Sequence, residues 1–423
     1  MNFTGQVRKL FCLIALLTTL VAGCATSLPT PIPIVTTTLL STAAMAPATT
    51  TPGLSTPSAT TASTLTITPA PSLTLTLTPT LPPAVAIQRG PYLQDVAPGS
   101  IWVVWDTVQL STGWVAYGPT ADLAEGVAVE TQSGLHHAVQ LTGLQNYTQY
   151  FYRAAGDTVV SSFRSAAAPG QAQFRFAVFG DTRANPDVHA AVIAGIAAAR
   201  PDLALHTGDL VDDGNNSGLW DSFLKIESPL MRIAPLYPTL GNHENGAPQY
   251  FSIFHLPGSG AWYSFDYGDA RFIVLRADNY YPGAFAAGTE QRTWLEQQLS
   301  SASARWIFVS FHVPVHTSFA EDPSEVNLRK DLAPLFEQYK VTAVFNGHIH
   351  SYERVIANGI TYIVTGGGGA PLYSLNVKEP GQQAGALVYH YMLFEVNGDK
   401  LTGKAVDING KVIDSFEITA SRP

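Results

Sequence analysis

Two rhythms of apolar and polar positions divide the chain. From about residue 85 to 168, short apolar runs are separated by turn residues at close spacing. Residues 100–105, 113–117, 137–141 and 150–153 predict β-strands. From about residue 170, apolar strands alternate with helical stretches. Residues 174–179, 202–206, 234–240, 305–311 and 341–345 predict strands, the third interrupted by prolines. Residues 188–200, 289–299 and 328–340 predict helices, the first rich in Ala. Trp262, Tyr263, Phe265 and Tyr267 fit a hairpin turning at Gly268-Asp269, and Asn397-Gly398 and Asn409-Gly410 predict further hairpin turns. The first region therefore predicts a small all-β sandwich. The second predicts an α/β domain of stacked mixed sheets flanked by helices.

The N-terminus follows a different pattern. Arg8 and Lys9 precede an apolar run, residues 10–21, which is too short for a membrane span. Val21-Ala22-Gly23-Cys24 resembles the bacterial lipoprotein box. That resemblance implies a signal peptide over 1–23, lipidation of Cys24, export, and anchoring to the cell envelope. Residues 24–84 are dominated by Thr, Pro and Ser and predict an extended linker with no packed core. The two cysteines are Cys12 and Cys24, so the mature body has neither a disulfide framework nor a thiolate metal site. The net charge of -9, without a run of Lys or Arg, argues against a nucleic-acid-binding surface.

The candidate chemistry sits where predicted strands end. These ends read Gly180-Asp181-Thr182-Arg183, Gly208-Asp209-Leu210-Val211-Asp212, Gly241-Asn242-His243-Glu244, His312, and Gly347-His348-Ile349-His350. Ligands of α/β sheets collect at the carboxyl ends of strands. His348 and His350 are one residue apart, so an extended backbone points both the same way. Any one of these Gly-Asp or Gly-Asn steps is explained as a turn; five in this order are best explained by a two-metal site. Two cations about 3.5–4 Å apart need a shared ligand, and a carboxylate can bridge; Asp209 is the candidate. Imidazoles favour Fe, Mn or Zn over Mg or Ca. Asn242 adds a neutral oxygen, which limits negative charge where a phosphate must bind. His243 is positioned in sequence to protonate a leaving alkoxide or to hold the phosphate.

These motifs resemble those of the calcineurin-like metallophosphoesterases and, within them, the purple acid phosphatases. Residues 347–354, Gly-His-Ile-His-Ser-Tyr-Glu-Arg, are similar to that family's last motif, and segments 88–94, 260–268 and 366–373 also resemble it. Residues 144–150 resemble the tyrosine corner of a fibronectin type III domain, with Asn146 where Pro is usual. The resemblance implies a fibronectin type III-like sandwich over 85–168 followed by a metallophosphoesterase domain over 169–423. It implies that Asp181 and His350 bind a first metal, that Asp209 bridges, and that Asn242, His312 and His348 bind the second. It assigns His243 to the phosphate or leaving group and puts His316 near the substrate. Two positions depart from the pattern. Asp212 stands where the purple enzymes carry a Tyr ligand, and Arg183 stands where many relatives carry a ligating His. The expectation is that Asp212 or a water completes the first metal's shell and that Arg183 clamps the phosphate. Glu353, Arg354, His136 and His137 are expected to be structural, and Gly366–Gly369 a backbone turn.

The implied function is hydrolysis of phosphate monoesters at the cell surface, acid phosphatase-like, by hydroxide held between the two metals. One alternative is a phosphodiesterase or nucleotidase with the same metals. Another is a binding or adhesion lipoprotein with a degenerate site.

Overall fold

The structure is a computed structural model that describes residues 81–278, 284–319, 323–375 and 378–422. The predicted signal peptide, Cys24 and nearly all of the predicted linker lie outside the described residues. Among the described residues, no helix is long and apolar enough to cross a membrane.

The first region forms a five-stranded antiparallel sheet: β1 (Ile87–Ala97), β2 (Ser100–Gly118), β3 (Gly126–Thr142), β4 (Gln149–Ala154) and β5 (Ser161–Arg164). The long β2 pairs with β3 along most of its length and with β1 and then β4 on its other edge. His137 is buried here, bonded to Glu130 and stacked on Trp105, as a structural residue would be. The sheet is fastened to the rest of the protein by buried hydroxyls. Tyr92 donates to the Ile253 carbonyl at 2.9 Å, Tyr152 to the Arg232 carbonyl at 3.0 Å, and the Val96 N–H donates to Tyr237 at 2.9 Å.

The second region is two mixed sheets packed face to face. Along the chain come β6 (Gln173–Phe179), α1 (Pro186–Ala199), β7 (Leu203–His206), α2 (Ser217–Met231), β8 (Leu236–Pro238) and α3 (Pro248–Ile253). Next are β9 (Tyr263–Tyr267), β10 (Ala270–Val274), α4 (Glu290–Ser301), β11 (Trp306–Ser310), α5 (Pro323–Gln338) and β12 (Ala343–Asn346). The chain ends with β13 (Tyr352–Ala357), β14 (Ile360–Thr365), β15 (Gln382–Ala386), β16 (His390–Asn397), β17 (Lys400–Asp407) and β18 (Val412–Thr419). One sheet runs β18-β17-β16-β6-β7-β8 and the other β15-β13-β14-β12-β11-β10-β9. Strands β6, β7 and β8 are parallel, as are β10, β11, β12 and β14; antiparallel strands flank both sets.

Strand alternation explains the layering. Phe174, Phe176 and Val178 of β6 face the other sheet, and Ala177 and Phe179 face the helices. The inter-sheet layer is aromatic: Phe176 lies 5.3 Å from Phe272, 5.1 Å from Phe308 and 4.7 Å from Phe394 between ring centroids. Helices α1 and α2 cover the outer face of the first sheet through Val192, Ile196, Trp220 and Phe223. Helices α4 and α5 cover the outer face of the second through Leu295, Leu299, Leu332 and Phe336. The central parallel strands of both sheets release their loops toward one place.

Candidate metal centre

The loops after β6, β7, β8, β11 and β12 bring Asp181, Asp209, Asn242, His312, His348 and His350 together. Glycines make the approach possible. A Cβ at Gly241 would collide with the Asp209 carboxylate, and one at Gly347 with that of Asp181. The backbone bends sharply at the donors themselves. Asp181, Asp209 and His348 have φ of 57°, 55° and 67°, the left-handed region that residues with a Cβ avoid.

Two groups of donors share one carboxylate. Asp181, Asp209 and His350, all buried, present ligand atoms within 4.8 Å of one another. On the other side of Asp209, its Oδ1 lies 3.3 Å from His312 Nε2; Asn242 Oδ1 lies 3.0 Å from His312 Nε2 and 3.1 Å from His348 Nδ1. His312 Nε2 and His348 Nδ1 are 3.3 Å apart.

The imidazoles are oriented from behind. His312 Nδ1 donates to the Thr207 carbonyl at 2.8 Å, and His350 Nδ1 to the Pro371 carbonyl at 2.6 Å. Each therefore turns its Nε2 into the cluster, the arrangement that metal-binding histidines use. Burial, and then the neighbouring His312, pushes His348 down to about 4, so it is a neutral imidazole at pH 7, as a metal ligand must be. Burial alone would also lower His312, but the Asp209 and Asp181 carboxylates outweigh it and raise it. Buried carboxylates, an amide oxygen and inward-facing ring nitrogens form a donor set suited to two metal ions.

The remaining predicted residues separate into those at the rim and those elsewhere. His243 donates from Nδ1 to the Asp212 carbonyl at 2.7 Å, which leaves its Nε2 3.8 Å from Asp209 Oδ2. Arg183 is not a free clamp. Its Nε donates to Asp209 Oδ2 at 3.2 Å and its Nη1 to Asp212 Oδ1 at 2.9 Å. Asp212 is correspondingly turned outward. Its side chain is 57% exposed and held by Arg183, and the structure does not bring it into the donor cluster. His316 is also held apart, because its Nδ1 pairs with Glu379 at 2.7 Å and its ring lies 4.5 Å from Tyr362. Glu353 and Arg354 do structural work with separate partners, Thr317 and Ser318 for one and Asp414 for the other. The Gly366–Gly369 run is a backbone turn behind the first motif, with the Gly368 N–H donating to the Gly180 carbonyl at 2.9 Å.

Two residues at the centre escaped the sequence reading. Glu244 is fully buried and accepts from the N–H groups of Asp209 at 2.9 Å, Gly241 at 2.8 Å and Val211 at 3.1 Å. Burial and the Asp209 carboxylate push it up to about 8, and its N–H donors pull the other way. Its signal was adjacency to Asn242-His243. Tyr373 stacks on His350, with ring centroids 4.0 Å apart, and lies near the Arg183 guanidinium. Its signal is its place in segment 366–373, which resembles a family segment and whose glycines predict a backbone turn.

Residues 174–352 match the calcineurin-like phosphoesterase family. The chain is 30% identical over 298 residues to acid phosphatase type 7 of Homo sapiens, covering 61% of this chain and 68% of that protein. It is 26% identical over 290 residues to probable purple acid phosphatase 20 of Arabidopsis thaliana, covering 61% and 67%. It spans 54% of purple acid phosphatase 22 from the same plant, a match of 29% identity. Among solved structures, a purple acid phosphatase from yellow lupin seeds superposes with a TM-score of 0.68 at 20% identity, covering 79% of this chain and 74% of that one. At that identity the likeness is one of fold.

Proposed function

The chain belongs to the calcineurin-like metallophosphoesterases, with purple acid phosphatases among its relatives, and from that premise we propose that it hydrolyses phosphate monoesters at this centre. The family works with two metal ions. Asp181, Asp209 and His350 would hold one, and Asp209, Asn242, His312 and His348 the other. When bound they supply an activated water and neutralise charge on the phosphoryl group. The residues of the chain do the rest. Asp209 is kept between the two groups of donors by Arg183 and by the His243 N–H, which donates to its Oδ1 at 3.1 Å. In the reaction a water would lose a proton to solvent as its oxygen bonds to phosphorus, the ester P–O bond would break, and the departing alkoxide would take the Nε2 proton of the His243 imidazolium, which solvent then restores. The Asp212 carbonyl fixes the His243 ring for that transfer. The observation that carries this reading is one carboxylate, Asp209, shared by two sets of buried or half-buried donors, of which His312 and His350 are oriented by backbone carbonyls.

The test is turnover by the chain loaded in turn with Fe, Mn or Zn. Chelator-sensitive hydrolysis of a nitrophenyl monoester, well above that of the matching diester, is expected. The opposite ratio would make the protein a phosphodiesterase, and binding of fewer than two metals without turnover would make it a binding protein. We further propose that the five-stranded sheet is a fibronectin type III-like support and that the protein is exported and anchored through a lipidated Cys24. Cys24→Ser should then move it from the membrane fraction to the soluble fraction; an unchanged distribution would refute the anchor.

A further inference from the structure

Beside the metal centre, between α1 and α2, lies a cleft of about 280 Å³. Pro186, Leu219, Phe223 and Ile226 make it apolar, and Arg183 and Asp212 stand at its mouth. His189 lines it as well, packed against Phe223 at 5.6 Å between ring centroids. Behind it, His189 Nε2 is bonded to Glu227 at 2.8 Å, and the second Glu227 oxygen is buried without a partner. The cleft adjoins the centre through two of its lining residues, Arg183 and Asp212. Arg183 links Asp209 to Asp212, and the Asp212 carbonyl holds the ring of His243. The group assigned to protonate the leaving oxygen and the mouth of the cleft thus meet at one residue.

We propose that this cleft receives the alcohol portion of the substrate, and that the substrates are monoesters of neutral apolar or aromatic alcohols. The proposal rests on the monoesterase reading above and narrows it. Size supports it, since a cavity of about 150 Å³ holds benzene. A cleft nearly twice as large accepts a fused aromatic ring. Polarity supports it, because specificity pockets are mainly apolar with a few placed polar groups. Charge sets the limit. The cation at the mouth, Arg183, is already paired with two carboxylates, and Asp212 remains over half exposed there. A leaving group carrying further phosphates or carboxylates would meet that carboxylate with no cation left to receive it.

The experiment compares kcat/KM for 2-(1-naphthyl)ethyl phosphate and ethyl phosphate, whose alcohols are matched in leaving ability, in the metal-loaded full chain and in Ser222→Trp. Ser222 is exposed on α2 and lines the cleft, so the indole fills it without entering the core. An apolar pocket of this kind discriminates by about tenfold or more. The naphthyl ester should therefore be favoured by at least about tenfold, and the substitution should reduce that preference by a similar factor. In parallel, equilibrium dialysis of 1-naphthol against the metal-free protein should show saturable binding that weakens in the variant. A wild-type preference near one, with no saturable naphthol binding, overturns the proposal whether or not the variant folds. Turnover of both esters with the same ratio in both proteins overturns it while leaving the monoesterase reading intact. Absence of turnover for either ester with every metal overturns that reading and this proposal with it.

Discussion

Removing Glu244 should loosen the metal centre without touching a metal donor. Its carboxylate accepts three buried backbone N–H groups, two in the loop that carries Asp209 and one in the loop that carries Asn242. Each buried donor left unsatisfied costs about 1–3 kcal/mol. Glu244→Ala would orphan three, for a summed cost of about 3–9 kcal/mol, with the lower end applying if water enters the vacated space. Glu244→Gln keeps one carbonyl oxygen, enough for the Asp209 and Gly241 donors at one acceptor position, but turns an NH2 toward the Val211 N–H. Its cost should be that of one lost bond, about 1–3 kcal/mol. The assay is urea unfolding of the metal-free protein at fixed pH, with the midpoint read at constant slope. The expected order of midpoints is wild type, then Gln, then Ala. An Ala variant within about 0.5 kcal/mol of wild type, the range of ordinary surface changes, would refute the claim that Glu244 ties these loops together.

Three further outcomes follow. Burial pushes His390 down to about 4, and its neutral ring is satisfied by the Val388 carbonyl and the Thr365 hydroxyl, each at 3.0 Å. A histidine depressed below its unfolded value contributes stability that is intact above about pH 6.5 and lost as pH falls toward 4. The loss is about 3 kcal/mol, and His390→Gln should flatten that dependence in urea titrations at pH 7.5 and 4.5; an unchanged slope would contradict it. Asp209→Ala should abolish binding of both metals by isothermal titration, whereas Asp212→Ala should leave stoichiometry at two; the reverse pattern would refute the shared-ligand assignment. With Asp212 in place of the tyrosine ligand, the iron-loaded protein should lack the strong tyrosinate absorption of the purple enzymes. Appearance of that band would refute the prediction and show a tyrosine oxygen on iron.

Much of the frame is written locally. The run at 174–179 is β6 almost residue for residue, Gly268 turns β9 into β10, and Asn397-Gly398 and Asn409-Gly410 turn the C-terminal strands. Helix α1 starts two residues earlier than its apolar run because Asn185 caps it and Pro186 fits its first turn. Helix α2 was missed, since its apolar stripe is broken by Glu227, a buried residue that only its partner His189 explains. Asn358-Gly359 is an ordinary turn signal and turns β13 into β14. The six candidate donors were legible because each lies within four residues of a strand's carboxyl end. Arg183 was not, because its role depends on Asp209 and Asp212, 26 and 29 residues away, and Tyr373 reaches His350 by a loop of unpatterned sequence.

Asp181, Asp209 and His348 pay for their positions with left-handed backbone, roughly 1–2 kcal/mol each for a residue with a Cβ, less for Asp. Glycine at any of them would relax the chain and delete a donor. Selection for stability alone would drive these points toward glycine, so the side chains found there report a demand of another kind. The same accounting works in proteins whose motifs are unrecognisable. Where several strained, non-glycine residues from distant strand ends converge in space, their disagreement with the backbone marks the place that chemistry has reserved.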